Sequence, residues 1–283
     1  MHEAPQSSRS GDLVIAGTSI SAALKQPPLD PFEARILLAH ALQLTRVQLI
    51  TQSERVLTAE EAGKLSALFQ RRIHGEPIAY IVGEREFYGL ALHTTPDVLI
   101  PRPETELLVE LALERLHTGG HIMDMGTGSG AIAIAIAHTR LDASVTALDI
   151  SAAALAVARS NADRHNARVT VLRSDWYDAL NESTFDIIVA NPPYIVAADP
   201  HLAQGDLRFE PINALTDHAD GLSALRTIIG GAPRHLVQDG WLLMEHGYDQ
   251  APAVRQLLMH QGFQEVQSWQ DLSGIERVSG GRH

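Results

Sequence analysis

Apolar positions along the 283-residue chain change their period partway, from helical spacing to an alternation of strands and helices. In the first third the spacing is helical. Asp30-Pro31-Phe32-Glu33 supplies an N-cap, a proline at the first helical position and an acid at the third. Phe32, Ile36, Leu37, Ala41 and Leu44 follow as the expected inner stripe. Thr58-Ala59-Glu60-Glu61 reads as a capping box opening a second helix through Leu65, Leu68 and Phe69, which stops near Gly75 and Pro77. Residues 1–83 are therefore expected to form a small helical domain. None of its residues has catalytic spacing, which suits a recognition or docking element. Residues 84–100 are turn-rich with short alternating runs and predict a β-hairpin linker.

The pattern then changes, and residues 101–283 read as a second domain. "IPRPETELLVE" opens it, with a helix starting at Glu104 or Thr105 and burying Leu107, Leu108 and Leu111. Strands are predicted at 121–125, 144–149, 169–172, 185–190, 240–245 and 262–269. Helices are predicted at 131–138, 152–165, 223–236 and 252–261. Uninterrupted apolar strands alternating with helices imply an α/β fold whose sheet is mostly parallel and covered on both faces.

The candidate chemistry lies at strand ends. "MDMGTGSGA" follows the first strand of that series, and Gly126, Gly128 and Gly130 allow a sharp turn and a close ligand approach. The helix behind the loop is expected to offer free N–H groups. The loop fits a dinucleotide fold, an S-adenosylmethionine fold or an empty structural turn. Asp149 ends the next strand and can accept both ribose hydroxyls of any adenine nucleoside. Asp124, beside the loop, suits a cationic ligand end better than a pyrophosphate, or else caps the loop amides. Asp175 and Trp176 in "SDWYD" follow the third strand. There the acid can accept from an exocyclic amine and the indole can cover an adenine face, unless Trp176 is ordinary core.

The fourth strand delivers Asn191-Pro192-Pro193-Tyr194 to the same edge. Two prolines stop the ladder and stiffen the backbone. The Asn191 side-chain oxygen and the Pro192 carbonyl can each accept one hydrogen of a planar NH2, aiming its nitrogen at a methyl donor. Tyr194 can offer a flat face for the substrate. The bland alternative is a strand-ending turn with an Asx cap. The ordered set of glycine loop, strand-end acid, Asp-Trp and this tetrapeptide weighs against it.

Composition narrows the field. Hydrophobic residues make up 45% of the chain and no run of about 18 apolar residues occurs, so a soluble globular protein without a membrane span is expected. The opening segment MHEAPQSSRSGD lacks the apolar centre of a signal peptide and reads as a frayed tail. With no cysteine and fourteen scattered histidines, disulfides and thiolate metal sites are excluded and no metal centre is expected. These features favour the cytoplasm. Up to Arg85 acids and bases balance, so the whole net charge of −12 falls on the remainder. That field repels a nucleic-acid partner, and Arg71-Arg72 is the only basic pair.

"LIPRPETELLVE", "DMGTGSGAIAIAIA", "ALDIS", "SDW" and "VANPPYI" together resemble the protein-(glutamine-N5) methyltransferases that modify release factors. The similarity extends downstream to "RFEP", "GLSALR" and "EHGYDQ". It implies a Rossmann-like, S-adenosyl-L-methionine-dependent methyltransferase domain behind a helical docking domain. It also implies that the cofactor meets Gly126, Thr127, Gly128, Ser129, Gly130, Asp149, Trp176 and Asn191, to which the position of Asp124 and Asp175 at the strand ends adds those two acids. The acceptor glutamine, in a Gly-Gly-Gln loop of class 1 peptide chain release factors, would meet Asn191, Pro192, Pro193 and Tyr194. Ile275 stands where the family often has a basic residue, with an effect expected on the final strand. The tetrapeptide alone is shared with adenine-N6 methyltransferases, the competing enzyme reading. A non-catalytic cofactor-binding protein is a third.

Overall fold

The computed structural model describes residues 13–283. The segment read as a frayed tail lies outside them. Backbone contacts divide the chain into two compact units, one ending at Gly83 and the other spanning Glu84–His283. Among the described residues no helix is long and apolar enough to cross a membrane.

The first unit contains α1 (Ile20–Lys25), α2 (Pro31–Leu42), α3 (Arg46–Thr51), α4 (Ala59–Ile73) and α5 (Ile78–Val82). Asp30 caps α2 by accepting from the Phe32 and Glu33 amides at 2.9 and 3.3 Å. Reciprocal capping boxes open α4 (Thr58 with Glu61) and α3 (Thr45 with Gln48). Arg72 grips Glu33 through two bonds of 2.7 and 2.9 Å, tying α4 to α2. The inner stripe of α2 is Ala34, Leu37, Leu38, Ala41 and Leu42, one step round from the expected one. Phe32 points outward at 59% exposure, with the Arg46 guanidinium 5.9 Å from its ring. Small Ala34 and Ala41 allow close packing against Leu65 and Phe69, which a phenylalanine stripe would prevent.

The second unit opens with β1 (Glu84–Phe87) and β2 (Leu90–His93), an antiparallel hairpin turned at Tyr88 and Gly89, both left-handed. Asn161 fastens β2, accepting from the His93 amide at 2.6 Å and donating to its carbonyl at 3.0 Å. A 3-10 turn, Pro103–Thr105, leads into α6 (Glu106–Arg115). The chain then runs through β3 (His121–Met125), α7 (Ala131–Thr139), β4 (Ser144–Asp149), α8 (Ala152–Arg164), β5 (Val169–Arg173) and β6 (Phe185–Ala190). After an irregular stretch containing α9 (Ile212–Leu215) come α10 (Ser223–Gly231), β7 (Leu236–Glu245), α11 (Ala251–His260), β8 (Gln264–Gln270) and β9 (Glu276–Arg282).

The sheet order is β5-β4-β3-β6-β7-β9-β8, parallel from β5 to β7, with β9 antiparallel to both neighbours. Alternate residues feed two cores: Ile122, Ile187 and Val189 on one face, Met123, Ile188 and Ala190 on the other. Every residue of α7 from Ala131 to Ala137 is buried. The helix expected through 236 ends at Gly231, because Pro233 supports only a 3-10 turn, Ala232–Arg234. Strand β7 begins four residues earlier than expected and absorbs an irregularity in its pairing with β6. Ile275 sits in the turn before β9, where its amide donates to Asp271 at 3.0 Å. The backbone, rather than the side chain at this position, therefore closes the turn.

Candidate active site

The chain order reverses between β3 and β6, so the loops after these strands diverge and leave a crevice at their carboxyl ends. A cavity of about 340 Å³ occupies it, within the second unit. Gly126, Thr127, Gly128, Ser129, Asp149, Asp175, Trp176, Asn191, Pro192 and Pro193 all line it. Asp124, Gly130 and Tyr194 do not.

The glycine loop is not an anion nest. The Gly126 and Thr127 amides both donate to the Leu148 carbonyl at 2.9 Å, and the Gly130 amide donates to the Thr127 carbonyl at 2.8 Å. The Gly128 amide donates to Asp149 Oδ2 at 3.0 Å. Four of the loop's amides are thus spent inside the protein, which disfavours a pyrophosphate. The loop instead presents bare backbone. Gly126 and Gly128 have φ of +75° and +55°, and a Cβ at either would meet no protein atom within 4 Å. Gly130, at φ +85°, serves packing. A Cβ there would lie 2.7 Å from Ile134 Cδ1 and 3.3 Å from Ala158.

Asp124 is a correction to the expected cofactor contact. It is 1% exposed and stands behind the loop, where Oδ2 accepts from the Thr127 hydroxyl at 2.6 Å and the Ala133 amide at 3.2 Å. It therefore binds loop to helix. Burial, chiefly, pushes its carboxyl up to about 7. Asp149 keeps its place in the wall. Its Oδ1 accepts from the Ser151 amide at 2.8 Å, and burial raises its carboxyl too. Trp176 lines the cavity from a left-handed backbone, φ +44°, held by the Ser174 hydroxyl donating to its carbonyl at 2.7 Å. A bulky residue in that conformation is costly and shows that the turn is enforced by its surroundings.

Strand β6 ends at Ala190, and Asn191 follows in the cavity wall. Its side-chain NH2 donates to the Thr105 hydroxyl at 3.1 Å. Tyr194 departs from expectation. Its ring packs with the apolar core and its hydroxyl donates to Glu245 at 3.1 Å, so it offers no face to the cavity. Burial raises its phenol. The Tyr194 carbonyl accepts from Gln250 at 3.0 Å, which fixes the backbone just after the prolines. The sequence reading missed Thr105 and Arg102 in the wall, and Glu210 and Glu245 behind it. Their only signal was their presence in the quoted "IPRPETE", "RFEP" and "EHGYDQ" segments. Glu210 is fully buried, pairs with Arg102 and accepts from the Ile100 amide at 3.0 Å.

The Methyltransferase small domain family matches residues 103–205, and the PrmC N-terminal domain family matches residues 17–83. Among solved structures, a methyltransferase from Pyrococcus furiosus shares the fold with a TM-score of 0.55 at 18% identity, covering 77% of this chain and 98% of that one. The T. thermophilus 16S rRNA N2 G1207 methyltransferase, in complex with AdoMet and guanosine, does so with a TM-score of 0.52 at 23% identity, covering 70% of this chain and 49% of that one. Sheet order, glycine loop and cavity are those of an S-adenosylmethionine-dependent methyltransferase. The release factor glutamine methyltransferase of Burkholderia pseudomallei is 54% identical over 268 residues, 92% of this chain and 94% of the relative. That of Bordetella pertussis is 52% identical, with 93% and 99% covered. The chain belongs to the release factor glutamine methyltransferase family.

The residues present fit S-adenosylmethionine. A loop with open glycine backbone and few spare donors suits a ligand without phosphates. A strand-end carboxylate in the wall suits ribose hydroxyls, and an indole beside it suits a purine.

Proposed function

We propose that this chain methylates the side-chain amide nitrogen of the glutamine in the Gly-Gly-Gln loop of class 1 peptide chain release factors, in the cytoplasm. The observation that carries this reading is the 54% identity to a release factor glutamine methyltransferase over 92% of the chain. Residues 1–83 dock the factor, 84–100 join the parts, and 101–283 carry the chemistry.

Bound S-adenosylmethionine supplies a methyl group on an electrophilic sulfonium. The loop from Gly126 through Thr127, Gly128 and Ser129 would hold it, with Asp149 at its ribose and Asp175 and Trp176 at its adenine. Asn191 and Pro192 handle the acceptor. The Asn191 oxygen accepts one hydrogen of the glutamine NH2 and the Pro192 carbonyl accepts the other. An amide nitrogen is a weak nucleophile because its lone pair is delocalised. Two acceptors on its hydrogens aim it and favour the positive charge that develops there. Pro192 and Pro193 hold this geometry before the substrate arrives. No strong base is needed, since the nitrogen gives up its proton readily once methylated.

The test is transfer of labelled methyl from S-adenosylmethionine to a purified release factor. Incorporation that disappears when the acceptor glutamine becomes alanine is expected. Label entering an adenine-containing oligonucleotide instead would establish the competing adenine-N6 reading.

A further inference from the structure

A buried chain of hydrogen bonds runs behind Asn191. Its NH2 donates to Thr105 Oγ1 at 3.1 Å, and that hydroxyl donates to Glu245 Oε2 at 2.6 Å. The other carboxylate oxygen, Oε1, accepts from the Tyr194 hydroxyl at 3.1 Å. Thr105 is 4% exposed and Glu245 2%. The three residues of this chain behind Asn191 come from the turn before α6, the end of β7 and the segment after β6.

The direction of this chain follows from counting protons. A carboxylate only accepts. Thr105 has one proton and spends it on Glu245, so only its lone pairs face Asn191. Asn191 must therefore turn its NH2 toward Thr105, which leaves Oδ1 for the cavity. A reversed amide would set NH2 against the NH2 of a glutamine, donor facing donor. Both Glu245 oxygens accept, one from each hydroxyl. Burial raises its carboxyl, while those two hydroxyls and the positive field of Arg277 pull the other way.

We infer that Thr105 and Glu245 are positioning residues for methyl transfer: they fix which end of the Asn191 amide faces the cavity, and thereby select an acceptor that brings two hydrogens on one nitrogen. The inference rests on the proposed function above. It assigns these two side chains a task beyond packing, since a merely structural pair would not care which end of Asn191 is presented.

The test compares wild type with Thr105→Val, Thr105→Ser and Glu245→Gln, using labelled S-adenosylmethionine and intact release factor. Thr105→Val keeps the shape and removes the hydroxyl. Its kcat is expected to fall by about tenfold to a hundredfold, while KM for the factor and Kd for S-adenosylhomocysteine stay within about threefold. Thr105→Ser restores the hydroxyl and is expected to recover most of kcat. Glu245→Gln guards against a folding defect. Its NH2 can donate to Thr105, whose proton then passes to Asn191, so every bond survives but the direction reverses. Its kcat is expected to fall about as far as that of Thr105→Val, with an unchanged melting temperature. The inference is overturned if folded Glu245→Gln keeps wild-type kcat, or if Thr105→Ser loses as much as Thr105→Val. Failure of wild type itself to label the factor would instead overturn the proposed function.

Discussion

Asn191 donates its side-chain NH2 to the hydroxyl of Thr105, a residue 86 positions earlier in the chain. The bond joins the end of the central strand β6 to the turn that opens α6. With the NH2 so engaged, the Asn191 oxygen falls, on the inference above, to the cavity that this residue lines.

That arrangement predicts the behaviour of Asn191→Ala. One hydrogen of the acceptor amide loses its partner in a desolvated site, which costs about 1–3 kcal/mol. Turnover should fall by about tenfold to a hundredfold, while S-adenosylhomocysteine binds within about threefold of wild type. Single-turnover methylation and calorimetric titration check the two halves. Near-normal turnover would make Asn191 structural.

The glycines of the loop should separate binding from folding. Gly126→Ala adds a methyl group that meets no protein atom in a wall of the cavity, at φ +75°. Stability should drop by about 1 kcal/mol from backbone strain, and cofactor affinity by about tenfold. Gly130→Ala drives a methyl group against Ile134 and Ala158. Its main loss should be stability, by about 2 kcal/mol or more. Urea unfolding and cofactor titration of both variants distinguish the two roles.

Asp124 should give the cofactor-free protein a recognisable pH dependence. Its carboxyl ordinarily titrates at 3.8 and is pushed up to about 7, mainly by burial. Between these values the folded chain keeps a proton that the unfolded chain has lost. Stability therefore falls as pH rises through this window and levels off above it. The full swing is about 4 kcal/mol. Unfolding free energies measured from pH 4 to 8 should show a shallower decline in Asp124→Asn than in wild type. Parallel curves would show that Asp124 is ionised throughout.

Removing Arg102 should be felt mostly through its partner. Arg102→Ala strands the Glu210 carboxylate, which has no solvent exposure, and should cost about 3 kcal/mol or more. Adding Glu210→Gln should recover part of that. Denaturant midpoints of the single and double variants measure the difference.

Much of this architecture was legible locally. Apolar runs marked all five parallel strands, and the glycine loop, Asp149 and Asn191 fell at the strand ends where the cavity lies. What escaped depended on distance or on burial. Thr105 and Glu245 meet only after the sheet has formed, so no local spacing could pair them. Asp124 shares its motif with cavity residues, but its side chain falls on the buried side of the turn. The stripe of α2 was misplaced because apolar side chains occur nearly all round it, and only close packing decides which face turns inward. Tyr194 adjoins the prolines, yet the backbone after them carries its ring into the core.

The helix α7, with no wet side from Ala131 to Ala137, carries a liability during synthesis and refolding. Written out, AIAIAIA is an uncharged run of seven small and branched residues without proline, the kind of stretch that zips into intermolecular sheets when left uncovered. Native wrapping by strands and neighbouring helices buries all seven. Chains released from denaturant at high concentration should thus be lost to aggregates seeded here, and a single lysine at Ile134 would trade that hazard for a ruined core.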